Sequence, residues 1–237
     1  MSVSAVHYLA KEGDGRVVKY AGIIFDFDGV LIDSEFVGNS QIAAFLSSAG
    51  HPTTVEQSMA QFMGLADKDF HAAVERWIGG PLPDDFHAAR AAEDARVMAE
   101  GIEAVHGAID FVRSLPPLLP RAIASSSSTR WIARHLDHIG LRDAFGNQIY
   151  SGKEHVARGK PAPDLYLHAA DAIGVAITDC VILEDSPVGA RGALASGAFV
   201  IGLCAGRHCG ADHESVLRGI GVQAIAHDFE EVARLVA

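Results

Sequence analysis

Two aspartates, Asp26 and Asp28, follow the apolar run AGIIF with a single residue between them. On an extended chain that alternation puts both carboxylates on the same side of a strand end. Two anions held so close repel unless a cation lies between them or one stays protonated. Either arrangement is useful, because a hard divalent ion takes carboxylate oxygens and a protonated carboxyl can act as a general acid. Taken alone, the pair also fits an acidic turn or a structural cation loop. Three further segments change the balance. Glu184 and Asp185 follow Val-Ile-Leu at another strand end, and Lys160 sits in GKPAPD, where Pro161 and Pro163 stiffen the chain. Ser125 follows Ala-Ile-Ala, with the backbone N–H of Ser126 directly after it. Together these residues offer a nucleophile, an acid, metal ligands, a cation and hydroxyl or N–H donors. Phosphoryl transfer needs that set: in-line attack on phosphorus while the oxygens around it are neutralised.

The elements that must position these groups are legible in the hydrophobic pattern. AGIIFDFDGVLI (21–32), RAIASSSS (121–128), DCVILEDS (179–186) and GAFVIGLC (197–204) are short apolar runs that end in small or acidic residues, the pattern of buried strands. Between them WIARHLDHIGL and PDLYLHAADAIGV have helical spacing and stop near Gly140 and Gly174, and GARGALASGA is a small-residue helix able to pack close to a sheet. Strand and helix in alternation predict an α/β fold, a parallel sheet with helices on both faces and its active residues at the carboxyl ends of the strands. One stretch breaks the rhythm. Residues 35–105 are alanine-rich and helical in period with no convincing strand, which predicts an all-α insertion over the site. The expected organisation is a leader over 1–20, a core formed by 21–34 and 106–237, and a helical cap over 35–105.

Bulk properties exclude several function classes. The chain has 237 residues, 49% hydrophobic and 21% charged, as in a globular protein able to bury a full core. A net charge of −11 disfavours broad attraction to nucleic acid or anionic membrane, so an anionic substrate would need a local site. No apolar run is long enough for a membrane helix, and the first residues lack the apolar segment of a signal peptide. Three cysteines, an odd number, suggest reduced thiols in a cytoplasm. The spacing of Cys204, His208, Cys209 and His213 matches no standard zinc motif and is taken as that of a loop. A monomer is the default expectation.

DFDGVL (26–31), SS (125–126), GKPAPD (159–164) and LEDS (183–186), in this order, resemble the four motifs of the haloacid dehalogenase superfamily. Within it the chain is most similar to the phosphatases and β-phosphoglucomutases that carry a helical cap after the first motif, on a Rossmann-like core. The resemblance implies Asp26 as the nucleophile that forms an aspartyl phosphate and Asp28 as the acid, then base. It implies Ser125, Ser126 and Lys160 as the phosphate-binding set. One Mg²⁺ would be held by Asp26, Asp185 and the backbone carbonyl of Asp28, with Glu184 near metal-bound water. Asp33 and Ser34 would shape a hinge, paired with a second near Gly101 and Gly107. Dehalogenating and phosphonate-cleaving relatives lack the second aspartate of the first motif, and its presence here favours phosphate esters. A β-phosphoglucomutase-like mutase is the alternative, weakened because Gly38 stands where those enzymes carry histidine and Asp67 or Lys68 near their arginine. A non-catalytic phosphate-binding protein is a third reading, against which Asp26, Asp28 and Lys160 are all intact. The implied substrate is a small sugar or sugar-acid phosphate. Lys68, Gln41, Arg76 and Arg90 are the cap candidates for recognising it.

Overall fold

The computed structural model describes residues 18–63, 65 and 67–237, so the predicted leader lies, up to residue 17, outside the described residues. Six strands form one sheet in the order β3-β2-β1-β4-β5-β6, with every pair parallel. They are β1 (Gly22–Phe25), β2 (Arg121–Ser125), β3 (Ile149–Ser151), β4 (Cys180–Glu184), β5 (Phe199–Leu203) and β6 (Ala224–Ala226). The four strands predicted from apolar runs are all present. The two additions, IYS and AIA, are edge strands of three residues each, too short to show a periodicity of their own.

Alternation along the strands builds two hydrophobic layers. Ile23, Phe25, Ile123, Val181, Leu183, Ile201 and Leu203 face one side. There they meet α5 (Ala108–Ser114), α6 (Thr129–His138), α7 (Arg142–Phe145) and α11 (Phe229–Val236). Ile24, Ala122, Ala124, Ile182 and Val200 face the other side, against α8 (Asp164–Ala172), α9 (Pro187–Ser196) and α10 (His213–Ile220). The fold is therefore the predicted Rossmann-like α/β sheet, buried on both faces. Successive strands leave β1 in opposite directions, so the carboxyl ends of β1, β2 and β4 border the crevice where such sheets place their ligands.

Between β1 and β2 the chain forms α1 (Ser34–Ser48), α2 (Val55–Phe62), α3 (Asp67–Ile78) and α4 (Phe86–Glu100). Their own core of Ile42, Leu46, Phe62, Val74 and Phe86 is separate from the two sheet layers. The start of α2 is fixed by a capping box in which Thr54 and Gln57 satisfy each other's backbone N–H groups, a signal present in the sequence as T-x-x-Q. The two connections to the sheet run together: Asp33 N donates to Glu103 O at 3.0 Å and Val105 N to Leu31 O at 3.1 Å. From α6, Arg134 Nε donates to Met98 O at 2.7 Å, giving the last turn of α4 a cationic cap. Among the described residues, no helix is long and apolar enough to cross a membrane.

The α6 helix carries a fully buried histidine, His135, with its ring centroid 4.1 Å from that of Trp131 and its Nδ1 2.9 Å from Trp131 O. Burial pushes its pKa below the ordinary value of 6.5. The unfolded chain therefore takes up this proton more readily than the folded one. The stability linked to His135 is fully present above 6.5 and is lost as pH falls through that value toward the depressed one. In urea denaturation at about pH 7 and about pH 5, the stability difference between His135→Leu and wild type should move in favour of the variant at the lower pH. A difference that stays constant would show that His135 is not held neutral.

Candidate active site

β1 and β4 are paired with Phe25 opposite Leu183, and Asp26 N extends the ladder to Leu183 O at 2.9 Å. One residue further along, Asp26 and Glu184 come side by side on the face that carries Ile24 and Ile182. The Lys160 ammonium enters between them, donating to Asp26 Oδ1 at 2.7 Å and to Glu184 Oε1 at 2.6 Å. Its side chain is 4% exposed. Burial by itself would lower the Lys160 pKa, but the Asp26 and Glu184 carboxylates outweigh it and hold the ammonium well above its ordinary value.

Glu184 has no free oxygen. Oε1 also accepts from the Tyr166 hydroxyl at 2.8 Å, and Oε2 accepts from Ser186 N at 2.8 Å and Ser186 Oγ at 3.0 Å. The sequence-based expectation set this carboxylate beside a metal-bound water. In the fold it anchors Lys160, with α8 and the start of α9 supplying its other donors. Two glycines in α9 permit the arrangement. A Cβ on Gly189 would fall 1.6 Å from Glu184 Oε1, and one on Gly192 would fall 3.1 Å from the carbonyls of Pro161 and Ala162. The small-residue face of α9 thus lets both the glutamate and the lysine loop approach.

Asp28 is oriented from three directions. Its Oδ1 accepts from Ser34 Oγ at 2.8 Å and Trp131 Nε1 at 3.0 Å, and its Oδ2 from Ser127 Oγ at 2.6 Å and Ser125 Oγ at 3.3 Å. Ser125 is buried at the end of β2, and Ser126 follows it, exposed. Trp131 was legible only as part of the apolar face of α6; its indole N–H reaches Asp28 because β2 is adjacent to β1. Ser34, expected at the hinge, touches the site directly. Asp33 ties this connection to the loop after β5, accepting from Arg207 N at 3.0 Å and Arg207 Nε at 3.1 Å.

Asp185 is less fully engaged than Glu184. Its Oδ2 lies 2.8 Å from His208 Nε2, while its Oδ1 is buried with no hydrogen-bond partner among the described residues. Gly29, at φ +79°, lies so close that a Cβ there would stand 2.1 Å from Asp185 Oδ2. Burial, followed by the charge of neighbouring carboxylates, drives both Asp26 and Asp185 well above the usual range despite Lys160. Lys160 meets Asp26 and Glu184, and Asp185 lies beside them, each of the three carboxylates offering an oxygen within 4.8 Å of the others. An orphaned buried oxygen, an all-oxygen donor set and a shortage of positive charge fit a hard divalent cation.

Three more neighbours escaped the sequence reading of the site. Glu35, at the start of α1, is pushed up to about 7 by burial and then by the charges of Asp185 and Asp28. His208 and His213, considered above only with the cysteines, both turn to Asp185, His213 through Nε2 to the backbone oxygen at 2.7 Å. Burial lowers the pKa of each imidazole. Cys209 Sγ lies 3.5 Å from His208 Nε2, and Cys204 falls outside this group.

Of the cap candidates, Gln41 and Arg90 are hydrogen-bonded to each other at 3.0 Å. Arg76 lines a cavity of about 640 Å³ with Ala72, Glu75, Gly79, Gly80 and Pro81. Lys68 is exposed in the first turn of α3. Replacement of Glu184 by Gln should destabilise the protein by about 3 kcal/mol, because a buried ammonium loses one of its two counter-charges. An unchanged urea midpoint would mean that Asp26 alone suffices to hold Lys160.

Residues 20–197 match the haloacid dehalogenase-like hydrolase family. Hexitol phosphatase A of Escherichia coli is 32% identical over 76% of this chain and 81% of its own. Fructose-1-phosphate phosphatase YqaB of the same organism is 30% identical over 76% of this chain and 94% of its own. A haloacid dehalogenase family hydrolase from Deinococcus radiodurans, solved with bound phosphate and sodium, superposes with a TM-score of 0.83 at 29% identity, covering 93% of this chain and 99% of its own. The chain belongs to the haloacid dehalogenase-like hydrolase family.

Proposed function

We propose that the chain is a phosphatase that hydrolyses a small sugar, polyol or sugar-acid phosphate through a phosphorylated Asp26. The observation that carries the reading is the buried Asp26–Lys160–Glu184 bridge, with Asp28 held beside it at the same strand end. Lys160 takes one oxygen of Asp26 and aims the carboxylate toward the crevice. The free carboxylate oxygen attacks phosphorus while the ester oxygen leaves on the opposite side and takes a proton from Asp28. Asp28 then removes a proton from water, which attacks the same phosphorus. The P–O bond to Asp26 breaks, inorganic phosphate departs, and both aspartates return to their starting state. Ser125 and the N–H of Ser126 are suited to the phosphoryl oxygens, because both lie at the end of β2 next to Asp28.

A dianionic ester repels a carboxylate nucleophile, so this attack requires more positive charge than one lysine supplies. Mg²⁺ held by Asp26 and Asp185 would neutralise the phosphoryl oxygens. The helices α1–α4 would form the cap, and the paired connections at Asp33 and Glu103 its hinge. Closure there would keep bulk water from the phospho-aspartate until the ester alcohol has left. Relatives named as phosphatases of fructose 1-phosphate and of hexitols support a phosphorylated hexose or polyol as substrate.

Phosphate release should be measured from p-nitrophenyl phosphate and a panel of hexose, hexitol and sugar-acid phosphates. Activity should require Mg²⁺, stop with EDTA and be absent in Asp26→Asn. Asp28→Asn should reduce kcat by about 10² to 10⁴-fold. Turnover that persists in Asp26→Asn would refute the covalent route. A ranking led by nucleotides or phosphopeptides would refute the substrate class.

A further inference from the structure

His208 is built into a place no side chain larger than a glycine would leave open. A Cβ on Gly29 would stand 3.0 Å from His208 Cε1, and one on Gly206 would stand 2.5 Å from both Cε1 and Nδ1. The imidazole side chain is 1% exposed, and among the described residues its Nδ1 has no hydrogen-bond partner. Its Nε2 lies 2.8 Å from Asp185 Oδ2. The imidazole thus lies against Oδ2, while Oδ1 of the same carboxylate is buried with no hydrogen-bond partner among the described residues. His213 holds the backbone oxygen of the same residue at 2.7 Å, so side chain and main chain are both fixed from the loop after β5 and the start of α10.

We infer that His208 is a positioning residue for the divalent cation: by occupying Asp185 Oδ2 it presents Oδ1 as a single, pre-aimed oxygen ligand. A carboxylate free to rotate could offer both oxygens or neither in the right direction, and Mg²⁺ tolerates little departure from octahedral geometry. Groups that orient a metal ligand typically change metal affinity by about 10- to 100-fold when removed. This inference rests on the assignment of Asp185 as a metal ligand.

Calorimetric titration of Mg²⁺ into the full-length wild type, His208→Ala and His208→Gln separates the two claims. Far-ultraviolet circular dichroism of the metal-free proteins checks that each variant is folded. Alanine should weaken Mg²⁺ binding by about 10- to 100-fold, whereas glutamine, which can place an N–H near Nε2, should stay within about threefold of wild type. Equal affinity in His208→Ala and wild type overturns the inference and leaves the metal assignment standing. Equal losses in alanine and glutamine variants overturn it too, since a direct imidazole ligand would behave that way. A wild type that takes up no Mg²⁺ removes the metal assignment and the inference together.

Discussion

The buried bridge from Asp26 through Lys160 to Glu184 is the constraint around which the site is assembled. Removing an ammonium and its carboxylates from water costs several kcal/mol per ion. That cost is offset only where the geometry is close and every remaining polar position has a partner. Glu184 meets the condition with four donors, from Lys160, Tyr166 and Ser186. Asp185 does not meet it among the described residues, because its buried Oδ1 has no partner. The fold therefore concentrates carboxylates at the ends of β1 and β4, with one buried lysine between two of them.

Parallel pairing explains why these groups meet. Carboxyl ends of neighbouring parallel strands lie on the same edge of the sheet, so residues distant in sequence arrive together whenever each follows an apolar run. The register of β1 on β4 puts Asp26 level with Glu184, while β2 on the other side of β1 brings Ser125 and, one turn into α6, Trp131 to Asp28. Close packing then depends on residues without side chains. Gly189 leaves space for the Glu184 carboxylate, Gly192 for the lysine loop, and Gly29 for Asp185. Substitution at any of these would press a methyl group on a charged atom or a carbonyl, so they belong to the chemistry as much as to the fold.

The inserted helices are linked to the site by more than proximity. Ser34 begins α1 and donates to Asp28, Asp33 receives Arg207 from the loop after β5, and the Arg207 guanidinium lies 4.0 Å over the Phe36 ring. Movement at this connection would be felt at Asp28 through Ser34 and at the His208 loop through Arg207. The connection to the inserted helices and the site therefore share residues.

The amino-acid sequence by itself determined the alternation of four of the six strands with helices, the helical insertion, the strand-end positions of Asp26, Asp28, Ser125, Glu184 and Asp185, and the proline-stiffened segment that carries Lys160. These are local properties: apolar runs, helical spacing and turn residues act over a few positions, and the four motifs lie in contiguous segments. Only the tertiary structure decided which oxygen of each carboxylate is engaged. The role of Glu184 as an anchor depends on Tyr166 from α8 and Ser186 at the start of α9, and neither is marked by spacing. Trp131, Glu35 and His208 lie on elements whose local pattern reads as apolar face, helix start and loop. Their approach to Asp28 and Asp185 follows from strand order, helix placement and, for His208, the absent Cβ atoms of Gly29 and Gly206. Such contacts depend on distances between segments, which periodicity along one segment does not encode.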